Sequence, residues 1–465
     1  MIPSKPPLTM PLPKSPAGAL VLATCLFLPA GRAAAVQGPP RAELEALVAS
    51  AEGEVKGDIL PFWMKHTRNP ENGGFVGMIT ADMQVRNDVP RGALLTSRIL
   101  WTYSTAYRLY HDPAYLEMAR YAYNDLVDHF WDKENGGLYW AITPDGKSQA
   151  SASPDGKIRP PVKLIYGQVF GIYSLSEYYR ATGEKAALDK AIAIYRLVEA
   201  HARDRVNGGY FDVLDEHWNR ITATGNILGA APKSQNSHIH ILEGYTNLLR
   251  AWPDPGLRSD QRSLFDMVVT HIVDPKTHHL ILFMKDDWTP VAVDFEDEPG
   301  GRKSTPADVS YGHDIELSWL LVEAAEVLGD PAAVSHAKSV AVDIARVTLA
   351  EGVEPDGSLV SDGGPGGYTN TSKEWWQQAE AAIGFMNAYQ ISGEPRYLSA
   401  SLHSWDYIKA KFVDREHGDW YNLLTREGKP LPLPKVSLWK CPYHSSRSCF
   451  ELIERAGELL GPAAR

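Results

Sequence analysis

The sequence has few cysteines, no long apolar run and no excess of positive charge, and each shortage excludes a class of protein. Its 465 residues include only three cysteines, too few for a disulfide framework in a chain of this size. It has no apolar stretch of about 20 residues, so a membrane-spanning helix is not expected. The formal net charge of −11 at pH 7 argues against nucleic acid or an anionic membrane surface as a partner.

Motifs for binding nucleotides or metals are missing as well. The chain contains neither a phosphate-binding loop nor the glycine fingerprint of a dinucleotide-binding domain, and it has no dense group of cysteines and histidines. His238 and His240 stand two residues apart, a spacing that points the two rings in different directions on a helix. This spacing disfavours a shared zinc ion. We therefore expect no metal and no cofactor.

The first 35 residues differ in character from the rest of the chain. Lys5 and Lys14 precede an apolar stretch over 17–30, and a run of three alanines then offers a small-residue cleavage site. This order of features is typical of a secretory signal peptide. We therefore predict that residues 1–35 are a signal peptide and that 36–465 form one catalytic domain. The mature protein is then periplasmic or secreted, or cytoplasmic if the segment is not a functional signal.

Helical periodicity dominates the chain from about residue 41 onward. Over 188–198, apolar residues recur at steps of three and four, which indicates a helix with one buried face. Similar stripes predict further helices near 42–66, 92–110, 114–130, 165–181, 239–251, 315–328, 334–349, 374–391, 396–411 and 446–460. The sequence thus predicts roughly a dozen helices and few strands.

Glycine-rich turns recur between the predicted helices. Gly-Gly pairs at 73–74, 136–137 and 208–209 each precede aromatic or apolar residues, a pattern that suits tight turns and short β-hairpins. Their separations of about 63 and 72 residues fit two helices and a loop, so each unit is predicted to be a helical hairpin. Six such hairpins give an all-α (α/α)6 barrel with short β-hairpin loops, which we favour over an open solenoid.

Three histidine-containing segments stand far apart in the sequence and share one character. They are NSHIHILE at 236–243, SYGHDIE at 310–316 and WKCPYHSSR at 439–447, and each surrounds its histidine with polar or aromatic residues. Histidine is the side chain best suited to moving protons near neutral pH. We therefore predict one site assembled from distant parts of the chain.

Together with KEWWQQAE at 373–380, these segments resemble the signature of cellobiose 2-epimerases, a branch of the N-acylglucosamine 2-epimerase superfamily. The resemblance runs from the turn at Gly73 to Arg447. It implies an (α/α)6 barrel, in agreement with the helical pattern. It also implies reversible inversion at C2 of the reducing-end sugar of a β-1,4-linked disaccharide, such as cellobiose to glucosyl-mannose or lactose to epilactose, with a role in mannan degradation.

The implied reaction needs two proton carriers and donors for an oxyanion. The sugar ring opens, a base removes the C2 proton to leave a cis-enediolate, and an acid returns a proton on the opposite face. By resemblance, His313 and His444 are this acid/base pair and exchange roles with the direction of reaction. His240 corresponds to the histidine of ring opening, and Arg98 to the arginine that stabilises the enediolate. Glu316, one turn after His313, is expected to orient that ring or to bind a substrate hydroxyl.

The resemblance also implies residues that bind the sugars. Trp376 and Trp439 match family aromatics that form platforms for pyranose rings, whose C–H faces are apolar. Trp375 adjoins Trp376 and cannot share its helix face, so we assign Trp375 to the core. Tyr166 and Asn236 are expected to line the cleft. The expected partner is a small disaccharide, and the expected assembly is a monomer.

Other functions stay open at this point. An aldose–ketose isomerase acting on mannose or a related monosaccharide would share the enediolate and return the proton to C1. A glycoside hydrolase would use two carboxylates, for which Asp314, Glu316 and Glu380 are available, but it would leave the histidine motifs unexplained. A non-catalytic sugar-binding role would not depend on His444. Residues expected to be structural, exposed or incidental are Cys441, Cys449, His129, His201, His271, His278, His279 and His403.

Overall fold

Thirteen α-helices lie within the residues that the computed structural model describes, which are 40–146, 149–152, 158–159, 161–221, 231–295 and 302–461. They are α1 (Arg41–Glu54), α2 (Leu60–His66), α3 (Ala93–Tyr110), α4 (Pro113–Asp125), α5 (Ile165–Thr182), α6 (Lys185–Leu197), α7 (Gln235–Ala251), α8 (Pro255–Met267), α9 (Tyr311–Leu328), α10 (Pro331–Glu351), α11 (Trp375–Ser392), α12 (Pro395–Tyr407) and α13 (Tyr443–Leu460). A π-helical turn joins α1 to α2, and similar turns end α4, α6, α8 and α12.

The chain divides into two units, Met1–Pro40 and Arg41–Arg465, and all of these helices belong to the second. The predicted signal peptide, residues 1–35, lies outside the described residues. Within the described ranges, no helix has both the length and the apolar character that crossing a membrane requires.

Alternate helices form a closed inner ring. Helices α3, α5, α7, α9, α11 and α13 are buried on nearly every face of their first three turns, whereas α4, α6, α8, α10 and α12 bury a single stripe. Each inner helix packs on the next, and α13 packs on α3, which closes the ring. The predicted (α/α)6 barrel is therefore confirmed, and an open solenoid is excluded.

Short antiparallel strands lie in the loops between the helices, as predicted. They are β1 (Met78–Ile79), β2 (Val85–Arg86), β3 (Arg91–Gly92), β4 (Ala141–Ile142), β5 (Gln149–Ala152), β6 (Ile158–Arg159), β7 (Val162–Leu164), β8 (Val213–Asp215), β9 (Lys233–Ser234), β10 (Phe283–Met284), β11 (Val293–Phe295), β12 (Arg302–Ser304), β13 (Val309–Ser310), β14 (Asp362–Gly364), β15 (Gly367–Asn370), β16 (Lys373–Glu374) and β17 (Leu423–Leu424). They pair as β1–β2, β3–β4–β5–β6, β7–β8, β9–β10, β11–β12, β13–β14–β15 and β16–β17. In the last pair, Glu374 lies opposite Leu423.

Buried ion pairs fix the strands that lead into the inner helices. Strands β7, β9 and β16 immediately precede α5, α7 and α11, and each carries a buried lysine. The ammonium groups reach carboxylates in the turns after α4, α6 and α10, in the pairs Lys163–Asp132 at 2.7 Å, Lys233–Asp204 at 2.9 Å and Lys373–Glu354 at 2.5 Å. Because losing one partner would leave a buried charge unpaired, these pairs specify where the inner helices begin.

One outer helix, α8, was absent from the predicted set. Its apolar stripe is thin, since Leu257 and Leu264 are buried seven residues apart and the buried position between them is Gln261. The amide of Gln261 donates to the carbonyl oxygen of Leu242 at 3.2 Å and to the hydroxyl of Thr246 at 2.6 Å. A polar side chain that finds its partners on α7 therefore occupies a core position, and this hides the helical period.

Candidate active site

The inner helices present their first two turns to one cavity. Residues two and six of a helix are four apart and share a face, and these positions hold Tyr166 in α5, Asn236 and His240 in α7, Trp376 and Glu380 in α11, Arg98 in α3, Glu316 in α9 and His444 in α13. The cavity has a volume of about 260 Å³. It is lined by all nine predicted site residues, which are Arg98, Tyr166, Asn236, His240, His313, Glu316, Trp376, Trp439 and His444, and also by Glu374, Trp375 and Asn422.

His240 is held by a carboxylate on its own helix. Its Nδ1 donates to Glu243 Oε2 at 2.8 Å, and its Nε2 lies 3.9 Å from Glu316 Oε2. The edge of the ring meets the ring of Tyr166 at a centroid distance of 5.0 Å. Burial lowers the pKa of His240, although Glu243 opposes the shift. The ring is therefore neutral at pH 7, with Nε2 able to accept a proton.

His444 is oriented in the same way by a different helix. Its Nδ1 donates to Glu380 Oε1 on α11 at 2.8 Å, and its ring lies 5.6 Å from that of Trp376. Burial and the positive charges of Arg98 and Arg447 hold the pKa of His444 well below its ordinary value. This histidine is also a neutral base with a fixed tautomer.

His313 lies nearer to solvent than the other two site histidines. Its Nδ1 is 2.9 Å from Ser310 Oγ, at the entry to α9, and its ring is half-buried. Its ring centroid lies 4.7 Å from that of Trp376, so His313 and His444 both contact this indole. The two histidines predicted to carry protons therefore meet at one aromatic surface.

Arg98 is a buried cation that forms no ion pair with any carboxylate of the described ranges. Its Nη2 donates to the hydroxyl of Tyr166 at 2.7 Å, and its Nη1 lies 3.6 Å from Cys441 Sγ. The guanidinium also lies 4.3 Å from the ring centre of Phe170 and 4.9 Å from that of Tyr443. Since an unpaired buried charge is costly, this arrangement favours an anion in the cavity. Cys441, predicted to be incidental, is thus a direct contact of Arg98.

Arg447 and three glutamates form a buried network behind the histidines, here called the Arg447 cluster (Arg447, Glu243, Glu316 and Glu380). Nη1 of Arg447 donates to Glu243 Oε1, and Nη2 donates to Glu316 Oε1 at 2.5 Å and to Glu380 Oε1 at 2.7 Å. Glu316, Glu380 and His444 lie close enough together to surround a cation. The cation among them is this guanidinium.

The three carboxylates of the cluster differ in acidity. Burial disfavours ionisation of Glu243, but Arg447 and His240 hold its pKa at about 2. Burial and the neighbouring Glu380 raise the pKa of Glu316 to about 8. Burial therefore favours the neutral form of Glu316, and its Oε2 makes no hydrogen bond with any described residue, although it lies 3.9 Å from His240 Nε2. Glu316 was expected to orient His313 or to bind a hydroxyl, and its Oε1 accepts from Arg447.

Two half-buried tryptophans, Trp376 and Trp439, contribute aromatic faces to the cavity wall. Trp376 donates its Nε1 to Glu374 Oε2 at 2.6 Å, which fixes the plane of the indole. The ring of Trp439 lies 5.7 Å from that of Tyr166 and 5.6 Å from that of Trp140. Trp375 is buried as expected, yet it also lines the cavity. These surfaces suit the apolar faces of sugar rings.

Sequence reasoning gave no role to Arg447, Glu243 or Glu380 in orienting the histidines. A helical signal was present for two of them, because Glu243 follows His240 by three residues and Arg447 follows His444 by three. Glu380 meets His444 from another helix, at a separation of 64 residues. No local pattern predicts that contact.

Fold and site together define the class, an (α/α)6-barrel enzyme whose cavity is lined by three histidines. Residues 73–447 match the N-acylglucosamine 2-epimerase (GlcNAc 2-epimerase) family. A cellobiose 2-epimerase of Bacteroides fragilis is 38% identical over 413 residues, which cover 88% of this chain and 99% of that protein. The chain therefore belongs to the N-acylglucosamine 2-epimerase family, in its cellobiose 2-epimerase branch.

Solved structures agree with this assignment. That of a cellobiose 2-epimerase from Bacillus thermoamylovorans matches with a TM-score of 0.78 at 34% identity, covering 88% of this chain and 100% of that one. A D-mannose isomerase matches with a TM-score of 0.73 at 19% identity, covering 87% and 97% of the two chains. At that identity the second match shows the fold alone.

Proposed function

We propose that this protein catalyses reversible C2 epimerisation of the reducing-end sugar of β-1,4-linked disaccharides, converting cellobiose to glucosyl-mannose and lactose to epilactose. The observation that carries the proposal is that three histidines line one cavity of about 260 Å³ together with Arg98, a cation without an ion pair to any described carboxylate. The relatives named cellobiose 2-epimerase support the same substrate class.

The residues divide the reaction between them. His240 takes the proton of the anomeric hydroxyl on Nε2 as the C1–O5 bond breaks, and the ring oxygen O5 gains a proton from solvent water. The protonated His240 then polarises the aldehyde by donating Nε2–H to its oxygen. Either His313 or His444 removes the C2 proton, and the electron pair moves through C1 to the carbonyl oxygen, leaving an enediolate. The other histidine, which enters this step protonated, donates its ring proton to the opposite face of C2 and becomes neutral. Arg98, oriented by Tyr166, stabilises the oxyanion while it exists.

The remaining wall residues bind the disaccharide. Arg98, His240 and Glu316 are almost fully buried, whereas Trp376 and Trp439 are partly exposed. The reducing-end sugar therefore lies among the buried polar groups, with Asn236 and Glu316 on its hydroxyls, and the second sugar lies against the two indoles.

We also infer a setting for this activity. Residues 1–35 would export the protein to the periplasm or beyond, where it would act as a monomer on disaccharides released during mannan degradation. Sequencing the N-terminus of the protein from fractionated cells tests this: a new terminus near residue 36 outside the cytoplasm supports export, and an intact Met1 in the cytoplasm rejects it.

Proton NMR of cellobiose incubated with the purified protein in D2O tests the activity. The expected result is a new glucosyl-mannose signal with deuterium at C2, because the histidine that returns the hydrogen carries one taken from the D2O solvent. Accumulation of a ketose would make the protein an aldose–ketose isomerase, and release of free glucose would make it a hydrolase.

Single substitutions test the histidine roles. His313→Ala, His444→Ala and His240→Gln should each lower kcat by about 10²–10⁴-fold, the range of general acid–base catalysis. His238→Gln is a matched control from the same helix. His238 bonds backbone groups, with Nε2 accepting the Tyr210 N–H at 3.0 Å, and it does not line the cavity. Full activity in a folded His313 or His444 variant would contradict the two-carrier scheme.

A further inference from the structure

We propose that Arg447 is a positioning residue that couples His240 and His444, by holding in one network the two carboxylates that fix their Nδ1 atoms. The inference rests on the proposed function, because it assigns both histidines to the same turnover. Glu243 bonds His240 and Glu380 bonds His444, and each of these carboxylates also accepts from Arg447. One side chain thus stands behind both rings.

The shape of the guanidinium makes this possible. Arginine presents several N–H donors in a rigid plane, whereas lysine offers a single point charge. Nη1 of Arg447 serves Glu243 on α7, and Nη2 serves Glu316 on α9 and Glu380 on α11. Aromatic faces hold the plane, since the guanidinium lies 4.8 Å from the ring centre of Trp319 and 4.2 Å from that of Tyr443. Four inner helices therefore meet at one side chain.

Sharing one cation also links the charges of the two histidines. When His444 gains a proton, Glu380 must interact more strongly with the imidazolium and less with Arg447, which leaves Arg447 freer to interact with Glu243. Glu243 in turn sets the basicity of His240. Protonation of one histidine therefore changes the pKa of the other through a path of hydrogen bonds.

Arg447 also lowers the pKa of each histidine directly. Removing its charge should raise both pKa values, since it takes away a nearby cation and leaves the carboxylates less compensated. The titratable and charged groups that face the two rings are Arg98 from α3, Tyr166 from α5, Glu243 and His240 from α7, His313 and Glu316 from α9, Glu380 from α11, and Tyr443, His444 and Arg447 from α13.

The test is the pH profile of kcat/KM for cellobiose in Arg447→Met and Arg447→Lys. In Arg447→Met, kcat should fall at least 100-fold and the acidic limb should move to higher pH, because the histidine that takes up a proton must start neutral and its pKa would rise. Arg447→Lys should keep the acidic limb near its wild-type pH, because the positive charge remains. It should still lose much of kcat, because lysine cannot donate to all three carboxylates as the planar guanidinium does. If Arg447 were only structural, both substitutions would lower thermal stability and leave the acidic limb of the pH profile in place. That result would overturn the proposal.

A double-mutant cycle covers the case in which Arg447→Met does not fold. Glu243→Gln and Glu380→Gln each disturb one histidine, and coupling through Arg447 predicts that the double variant loses less activity than the product of the two single losses. Losses that multiply would show two independent sites and reject the coupling.

A measurement without substrate separates this inference from the proposed function. Nitrogen-15 NMR of labelled histidine should show His240 and His444 as Nδ1–H tautomers, and Glu243→Gln should shift the titration of His444 as well as that of His240. An unchanged His444 would reject the coupling even if cellobiose is epimerised. The shift would stand even if cellobiose proves not to be the substrate.

Discussion

At the scale of single residues, two histidines of the same segment do different work. His238 is the fourth residue of α7, and it bridges the Tyr210 N–H and the Ser234 carbonyl oxygen. Gln168 and Gln378 are the fourth residues of α5 and α11, and each accepts the N–H of a leucine, as His238 accepts that of Tyr210, while donating to the carbonyl oxygen of the same leucine. The histidine at this position is therefore a structural bridge that glutamine also provides elsewhere in the barrel.

This equivalence predicts how His238→Gln changes stability with pH. Burial lowers the pKa of His238 from an ordinary value of 6.5 to about 4, so between these values the unfolded chain binds a proton that the folded chain does not. Wild-type stability is consequently lost as pH falls through this window, and glutamine removes the effect. When the pH falls from 7 to 5, the free energy of unfolding of the variant should rise by about 2 kcal/mol relative to that of the wild type. Urea unfolding at both pH values measures this, and parallel losses would contradict it.

At the scale of elements, glycine sets the distance between two helices that carry site residues. Gly384 on α11 faces α9, where an added Cβ would lie 2.6 Å from the carbonyl oxygen of Ile315. Ile315 precedes Glu316, and Gly384 lies one turn after Glu380. The separation of α9 and α11 therefore fixes two of the carboxylates in the Arg447 cluster.

Gly384→Ala should separate these helices. We expect a loss of about 1–3 kcal/mol in unfolding free energy and a lower kcat, because backbone oxygen cannot move aside as a side chain can. Gly457→Ala on α13 is the matched control, since nothing lies within 4 Å of its added Cβ. It should gain up to about 1 kcal/mol from helix propensity. Thermal unfolding and kcat measured on both variants decide the point, and equal effects would contradict it.

At the scale of the whole molecule, the ring is closed by its last helix. Helix α13 packs on α3 and α11 of the inner ring and on α1 outside it. It also supplies His444 and Arg447. Packing of α13 therefore closes the ring and also supplies two residues of the site.

Ending the chain before Tyr443 should abolish cooperative folding. The truncation exposes the faces of α3 and α11 together, so we expect no sharp thermal transition and no activity. A chain that ends at Gly461 retains α13 and should unfold like the full protein. A cooperative transition in the shorter chain would show that the hairpins stabilise one another as additive neighbours, as in open repeat proteins.

Helical stripes and turn glycines were enough to predict the barrel, because both are local signals that repeat with the hairpin. The family resemblance placed nine residues that the structure brings to one cavity. Helix α8 was not predicted because one of its core positions holds the buried Gln261, whose hydrogen-bond partners lie on α7. Hydrophobic periodicity counts such a polar residue as exposed, although it is buried and hydrogen-bonded to another helix.

The contacts behind the site were harder to predict for the same reason. Cys441 meets Arg98 across 343 residues, and Glu380 meets His444 across 64. Such contacts depend on the closure of the ring. The catalytic roles themselves remain predictions that the proposed substitutions test.

The common direction of the inner helices has an electrostatic consequence. Six helix N-termini converge on one cavity, and each carries about half a positive charge from its aligned peptide dipoles. An enediolate is an anion and its sugar precursor is neutral, so this field acts on the intermediate and not on the substrate. Each terminus contributes about 0.3–1 kcal/mol in exposed settings. The backbone of the barrel thus stabilises the intermediate independently of the side chains that line the cavity.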